Sequence, residues 1–359
     1  LNDIDQKSSG GGPDITSSGA RSNTFSAGAV LNWTLYDGGK MFVTKSKLGE
    51  IEALGAIQFK NKVLQTEYGV IAGYYDVVRQ KQQLASINEV LASNQERVTI
   101  LQTSFTAGLS PKTVYLQAQI DLNVYKENAI NQQTVISAAK RTLNQLLSRD
   151  AGDDFDVGDT IPHDFIPDTA WLREKLYVNN TDVLAAQKQV DVARLSLKES
   201  YSLRYPKLSL NAGWDFLRVD NSAGSILMNR AYGPQIGASI SLPIYQAGAI
   251  SRQIETATLQ LESLRYDLES AKQQISSEVL NALDDFRNQG RLLLIEKDNT
   301  ALAKENLDIS MQRLRYGQST SLELRQAEES YEDARTRLIN IEYNLKIAET
   351  KLKQLMAQL

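Results

Sequence analysis

The sequence predicts a mixed α and β protein built twice over, in which amphipathic strand pairs lead into very long helical hairpins. Three observations predict it: an internal repeat that keeps its register, two proline-free stretches of unusual length, and short segments of strict apolar–polar alternation.

The repeat sets the frame. Tyr36 aligns with Tyr245, an offset of 209 residues. The same offset pairs Gly39 with Gly248, Gln80 with Gln289, Glu96 with Glu305, Gly108 with Gly317 and Gln117-Ala118 with Gln326-Ala327. It still holds at Leu143/Leu352 and Leu146/Leu355. No gap is needed, so the two halves share element lengths even though most positions differ.

The first element is a strand. Phe25, Ala27, Ala29, Leu31, Trp33 and Leu35 alternate with Ser26, Gly28, Asn32 and Thr34. Its counterparts in the second half are 205–216, where Leu208, Leu210, Ala212, Trp214 and Phe216 oppose Ser209, Asn211, Gly213 and Asp215, and 235–245, where Ile236, Ala238, Ile240, Leu242 and Ile244 oppose Gln235, Gly237, Ser239 and Ser241. Period-two patterning of this length is a strand with one apolar and one polar face. A loop is expected at 220–225, and Pro243 falls at the end of its strand, where a lost ladder bond matters least. The pattern alone fits both a soluble sandwich and a transmembrane barrel.

Helices follow. Residues 40–106 and 249–315 contain no proline and are rich in good helix formers. A helix of that length spans about 100 Å, beyond any ordinary globular domain. Each ends in a turn, TAGLSP (106–111) and RYGQST (315–320). Gly108 and Gly317 suit a left-handed C′ position, Pro111 suits N1, and Ser110 and Ser319 are N-cap candidates. The returning helices carry 3–4 spacing, the mark of a coiled-coil seam: Leu324, Ala327, Tyr331, Ala334, Leu338, Ile341, Leu345, Ala348, Leu352, Leu355 and Leu359. The first half matches with Tyr115, Ala118, Leu122, Tyr125, Ala129, Ile136, Ala139, Leu143 and Leu146, interrupted at Gln132. Between the halves, 149–168 is acidic, holds two of the seven prolines and reads as an irregular solvated linker, followed by a helix over 170–203.

Composition excludes several classes. The net charge is −4 with dispersed Lys and Arg, which leaves no dedicated nucleic-acid surface. There is no cysteine and one histidine, His163, so thiolate sites, multi-histidine metal sites and disulfides are absent. Asp153, Asp154, Asp156 and Asp159 lack the spacing and bidentate Glu of a calcium loop. No phosphate loop or nucleophile motif occurs, so neither a cofactor nor an enzymatic activity is expected. No apolar run is long enough for a transmembrane helix.

The junctions TLYDGGKMFVTK (34–45) and SLPIYQAGAISRQI (241–254), together with the tips AGL (107–109) and RLRYGQ (313–318), resemble those of the TolC-like outer-membrane efflux proteins. The resemblance implies a membrane protein with a long α-helical coiled-coil barrel and a twelve-stranded transmembrane β-barrel shared by a homotrimer, four strands per protomer. It implies strands and extracellular loops at 1–36 and 206–245, a first helical hairpin at 37–148, an equatorial linker and upward helix at 149–205, and a second hairpin at 246–359. It also implies an outer-membrane location reaching into the periplasm, an exit-duct function in a tripartite efflux or type I secretion system, and partners in a periplasmic adaptor, an inner-membrane pump and outer-membrane lipid.

Residue roles follow by the same resemblance. Placing Gly317 on the family glycine puts Ser319 at the gating Arg, Glu323 at the outer Asp and Gln326 at the inner Asp, while Val114 replaces another Asp. The usual ionic latch is thus largely missing, and Glu323 is left to form a three-fold acidic ring. Adaptor docking is expected at Gly108, Leu109, Arg315, Tyr316 and Gly317. Asn32, Asn211, Asp215 and Ser239 are expected to face the lumen, and Leu31, Trp33, Leu208, Leu210 and Trp214 the lipid. By the repeat, a signal sequence and roughly 40 or more mature residues, including a helix like 170–203, are expected before Leu1. The competing reading is a soluble, elongated coiled-coil scaffold or periplasmic adaptor.

Overall fold

The computed structural model describes residues 2–6, 15–167, 176–223 and 226–359. The first turns of the helix expected from residue 170, and part of the loop expected at 220–225, lie outside the described residues. The chain divides into two compact units, Leu1–Ala53 with Lys188–Tyr266, and Leu54–Gln187 with Asp267–Leu359.

The first unit holds the strands. β1 (Asn2–Gln6) pairs antiparallel with β2 (Ile15–Ala20), and β3 (Ser22–Asp37), β4 (Lys207–Asn221) and β5 (Met228–Ser241) form an antiparallel sheet in the order β3-β4-β5. β4 runs five residues beyond the expected end and β5 starts seven earlier, so the connection narrows to 222–227. Backbone and side-chain bonds account for the tighter turn. Asn221 donates from its backbone N–H to Leu227 O (2.7 Å) and from Nδ2 to Ile226 O (2.9 Å), while Ser222 N–H bonds Arg21 O (2.8 Å). Pro243 falls outside the strand. Pro234 lies inside it, opposite Trp214, on an outer strand of the sheet, where a missing N–H is tolerated.

Where β3 meets the first helix, Gly38 and Gly39 take φ of 73° and 80°, the region open to glycine. A Cβ on Gly38 would lie 2.5 Å from Ser202 O. Asp37 Oδ1 accepts from Met41 N–H at 3.1 Å and so satisfies one of the helix's free N-terminal donors. The Asp-Gly-Gly of the junction is therefore a cap followed by a left-handed turn.

The helices are α1 (Lys40–Thr106), α2 (Lys112–Leu146), α3 (Thr181–Ser202), α4 (Ala249–Arg315) and α5 (Ser321–Leu355). α1 and α4 have 67 residues each, α2 and α5 have 35 each, and every boundary is related by the 209-residue offset. Among the described residues, no helix is long and apolar enough to cross a membrane. At the turns Gly108 and Gly317 take φ of 73° and 69°. The caps sit one residue later than expected. Pro111, with ψ 144°, is the residue flanking α2 rather than its first turn, and Thr320 rather than Ser319 caps α5, its hydroxyl accepting from Glu323 N–H at 3.2 Å.

Packing within the second unit follows the seam. Leu324, Ala327, Tyr331, Ala334, Leu338, Leu345, Leu352 and Leu355 of α5 are buried. Val90, Leu307, Met311 and Leu314 close one core around the first three. Each fully buried aliphatic side chain contributes about 1.5–3 kcal/mol relative to exposure. α2 buries Ala118, Leu122 and Leu143, but Leu146 is exposed. Gln132, which interrupts its seam, donates to Gln80 Oε1 (2.8 Å) and Gln80 O (3.1 Å).

The acidic linker is not a free solvated loop. Val157 and Ile161 insert into a core with Val77, Val78 and Leu143. Lys81 Nζ bonds Asp156 (2.7 Å) and Asp159 (2.9 Å), and Lys140 bonds Asp154 (2.6 Å). Both ring nitrogens of His163 are buried without hydrogen-bond partners. Burial, then Lys297 and Lys346, hold its pKa below the ordinary histidine value.

The lysine bonds hold the Asp154 and Asp156 carboxyls below their ordinary range. A carboxylate with a depressed folded pKa contributes stability above its unfolded value, and that stability is lost as pH falls through the folded value. The linker should therefore be better protected from protease at neutral pH than in acid, cleavage at 149–160 starting to rise below about 4, the unfolded Asp value, and levelling off only below the lower folded value. Lys81→Met should make it cleavable at pH 7 and flatten the pH dependence; unchanged limited proteolysis would count against the clamp.

Candidate functional sites: a two-faced sheet and the hairpin tips

In the sheet of the first unit, register sorts side chains by face. Directly opposed residues share a face, and successive residues alternate. One face carries the rows Ala27/Phe216/Tyr232, Ala29/Trp214/Pro234, Leu31/Ala212/Ile236 and Trp33/Leu210/Ala238. The other carries Gly28/Asp215/Gly233, Val30/Gly213/Gln235, Asn32/Asn211/Gly237 and Thr34/Ser209/Ser239. Asn32, Asn211, Asp215 and Ser239 thus fall together on the polar face. There Gln235 Nε2 donates to Asp215 Oδ2 at 2.6 Å. Gly28 leaves the space that the Asp215 carboxylate fills.

The pairing also contains a feature the alternation does not reveal. The register shifts between Thr34 and Tyr36, so Leu35 is an inserted bulge residue and Tyr36, opposite Leu208, takes the apolar face. From Leu208 to Phe216 the apolar band spans nine residues, roughly 27 Å at the strand rise. That is the scale of the apolar belt of a membrane barrel. Trp33, Trp214, Tyr232, Ile236 and Ile240 are all exposed in the protomer.

The tips lie in the second unit. Leu109 and Tyr316 are exposed, at 82% and 79%, so Tyr316 does not pack into its own hairpin. Arg315 is already engaged: its Nε donates to Glu96 of α1 at 2.6 Å. Glu323 and Gln326 are exposed on α5. Glu323 accepts from Ser319 Oγ at 2.6 Å, and the nearest cation is Arg313 at 3.9 Å.

Behind the tips, a buried polar network was not singled out from sequence. Arg97 is 1% exposed and Glu328 is 0% exposed. Arg97 Nη2 donates to Asp121 of α2 (2.9 Å) and Asn94 (2.5 Å), and Nη1 lies 3.6 Å from Glu328 of α5. Ser93 Oγ donates to Glu328 Oε1 at 2.7 Å. One guanidinium thus joins three helices. Burial pushes the Glu328 carboxyl up, opposed by Arg97 and Ser93. A cavity of about 350 Å³ opens beside it, lined by Arg97, Thr113, Gln117, Asp121, Thr320 and Arg325. Further along, Glu89 accepts from Lys304 (2.8 Å) and Tyr331 (2.7 Å). Burial, then Glu89, push the Tyr331 hydroxyl up to about 12. The readable signal was spacing: Val90, Asn94, Arg97 and Leu101 recur at 3–4 intervals, placing polar residues in the α1 seam.

Among the described residues, no group of His, Asp and Glu is arranged to hold a metal. An apolar-faced sheet with a polar reverse, and helical hairpins far longer than a globular domain needs, define the class of membrane channels that combine barrel strands with helical extensions. The outer membrane efflux protein family matches residues 3–149 and 172–358, and the chain belongs to that family. It is a family of outer-membrane channels that extend into the periplasm, which sets aside the soluble-scaffold reading.

The chain is 22% identical over 334 residues to the outer membrane efflux protein BepC of Brucella suis, covering 92% of this chain and 71% of the relative. It is 22% identical over 260 residues to the proteases secretion protein PrtF of Dickeya chrysanthemi, covering 69% of this chain and 54% of the relative. The solved outer membrane protein VceC of Vibrio cholerae shares the fold, with a TM-score of 0.76 at 15% identity over 94% of this chain and 87% of that one.

Removing one member of a buried ion network leaves the other charges uncompensated, at a cost of about 3–5 kcal/mol. Arg97→Met should therefore destabilise the helices by that amount in detergent thermal unfolding followed by circular dichroism. Arg97→Met combined with Glu328→Leu and Asp121→Leu should recover most of the loss. If the triple variant is as unstable as the single one, the loss reflects packing and not orphaned charge.

Proposed function

We propose that the chain is one protomer of a homotrimeric exit duct in the outer membrane, serving a tripartite efflux or type I secretion system. Each protomer contributes strands to one shared barrel, whose apolar face meets lipid and whose polar face lines the lumen. The helical hairpins form the periplasmic conduit, and their tips meet a periplasmic adaptor that couples the duct to an inner-membrane pump. The observation that carries this reading is the register of β3, β4 and β5. It segregates a lipid-compatible face from a hydrated one across all three strands.

Two further observations support it. Within the second unit, α4 exposes Leu280, Leu294, Leu302 and Ile309, and α2 exposes Leu116, Ile120, Val124 and Ile130. Stripes at such spacing need a partner helix, and a second copy of the chain supplies one. The exposed Leu109 and Tyr316, framed by glycines, offer apolar anchors to an approaching hairpin, and aromatic residues commonly dominate such contacts. Arg315 stabilises the hairpin pair through Glu96 rather than waiting as a free rim cation. The names of PrtF and BepC, one a secretion protein and one an efflux protein, place both duct classes within reach of this fold.

Glu323, Gln326 and Ser319 form the constriction in this reading, with Glu323 the ionisable member. Three copies near the axis favour cations. With Arg313 at 3.9 Å its only cation in ion-pair range among the described residues, Glu323 is a weak latch, and closure rests on helix packing.

Ile240 lies on the apolar face and Ser239 on the polar one. Ile240→Arg should cost about 2–4 kcal/mol in unfolding from lipid, and Ser239→Arg far less. Equal costs would refute the barrel. In planar bilayers Glu323→Gln should weaken cation selectivity with little change in conductance, whereas a large rise in conductance would identify Glu323 as a latch.

A further inference from the structure

Within the first unit, α1, α3 and α4 join the sheet at Asp37, Lys207 and Ser241, while the connection at 222–227 closes β4 and β5 at the opposite end, where β3 continues through residue 21 into β2. One row before that closed end, the apolar face changes character. Phe25 stands opposite Arg218, and Arg218 stands directly opposite Arg230. The next row inward is Ala27/Phe216/Tyr232. Two arginines therefore occupy directly opposed positions on the face that otherwise carries Leu, Ile, Trp and Ala.

Like charges placed directly opposite each other destabilise a sheet unless something neutralises them. Arg218 is met by Asp220 at 2.9 Å. Arg230 has no carboxylate in ion-pair range among the described residues; its guanidinium lies 5.4 Å from the Phe216 ring centroid and 5.6 Å from that of Tyr232. Phe25 and Phe216 meet edge to face at 6.0 Å. The two arginines are thus held at the margin of an aromatic cluster, with one positive charge left over.

Aromatic side chains mark the boundary between hydrocarbon and headgroups in a membrane barrel, and long basic side chains beside them reach into the headgroup layer. With the helices on the periplasmic side, the closed end of the sheet is the outward one. A planar guanidinium binds a phosphate through two charge-assisted bonds at once, which an ammonium does not do, and two such groups on opposed strands are within the span of one headgroup. We propose that Arg218 and Arg230 form a seat for the phosphate of an anionic lipid headgroup in the outer leaflet, with Phe25, Phe216 and Tyr232 covering the adjoining acyl or sugar surface. This rests on the lipid-facing reading of the apolar face.

The test uses the intact trimer in detergent, with lipid A as the phosphorylated probe and phosphatidylcholine as the neutral one, retained lipid being counted by native mass spectrometry. The wild type should retain lipid A over phosphatidylcholine, and Arg218→Gln with Arg230→Gln should reduce that preference about tenfold, the scale of losing a charge-assisted pair. Asp220→Asn, which frees Arg218, should raise it. Inorganic phosphate at the same concentration should not compete. An unchanged preference in the double variant, or equal competition by inorganic phosphate, overturns the lipid seat. The underlying face assignment is read separately, from quenching of Trp33 and Trp214 by lipids brominated on their tails in a Trp171→Phe background. Quenching with no arginine effect removes only the lipid seat; absence of quenching removes the face assignment and the seat with it.

Discussion

In hydrocarbon, backbone N–H and C=O groups are satisfied only by other backbone, so a strand needs a neighbour on each side. Among the described residues the sheet order is β3-β4-β5, which leaves β3 and β5 each with an outer edge. The described strands are too few to close a barrel, and an open apolar-faced sheet in water would pair with other copies indiscriminately. The proposed trimer resolves this by making each edge the partner of another protomer's edge. That one requirement orders much else. It fixes the register, because a one-residue slip would send Trp33, Leu210 and Ile236 to the polar side.

The helical unit obeys a different constraint, because its seams must stay in step over many turns. Matched lengths of 67 and 35 residues, held by one offset, let each hairpin turn at an equivalent point. Within that geometry the seam is not uniformly apolar. Asn94, Arg97 and Glu328 occupy fully buried positions. A buried ion pair is a poor source of net stability, since desolvation offsets most of its attraction. Its better-attested use is to fix one register among several, because a slipped pairing would strand a charge. An apolar coiled seam of this length, repeating every three or four residues, has several near-equivalent registers, and Arg97 bonding both Asp121 and Glu328 selects among them.

Much of this was legible in the sequence, and the parts that were not share a cause. Period and repeat are properties of long segments, so the duplication, the helical hairpins and the two faces of the strands could be read from Tyr36/Tyr245, the proline-free stretches and the alternation around Trp33 and Leu210. Features decided by a single residue's partner could not. The bulge at Leu35 depends on how β4 pairs, not on any signal within β3. The extension of β4 to Asn221 depends on bonds from Asn221 and Ser222 to residues distant in sequence or across a loop. The caps shifted by one because adjacent candidates look alike in sequence and the choice is made by backbone geometry at Pro111 and by a single hydrogen bond at Thr320. Asp154 and Asp156 are solvated, as the sequence suggests, but nothing local discloses their partners Lys140 and Lys81. Arg97 is the instructive case. Its helix-forming chemistry suggests an exposed face, and only its place in the 90, 94, 97, 101 series points inward.

The duplication also explains how one chain supplies two different hairpins to a single wall. The shared offset preserves geometry, so both tips turn through a left-handed glycine, Gly108 or Gly317. Side chains have diverged around that shared frame. α5 buries its seam nearly from end to end, whereas α2 buries only Ala118, Leu122, Leu143 and Asn144 and exposes Ile120, Val124 and Ile130. α5 is therefore packed mainly within its own protomer, and α2 has apolar surface left for another. Where the two hairpins meet they are joined by polar contacts, through Arg97, Glu89 and Arg315, rather than by apolar packing alone. Polar contacts are directional and lose their strength over a small displacement, while apolar packing tolerates sliding. Two hairpins joined by a few directional bonds are thereby held at one relative position, which an apolar seam alone would leave free to slide.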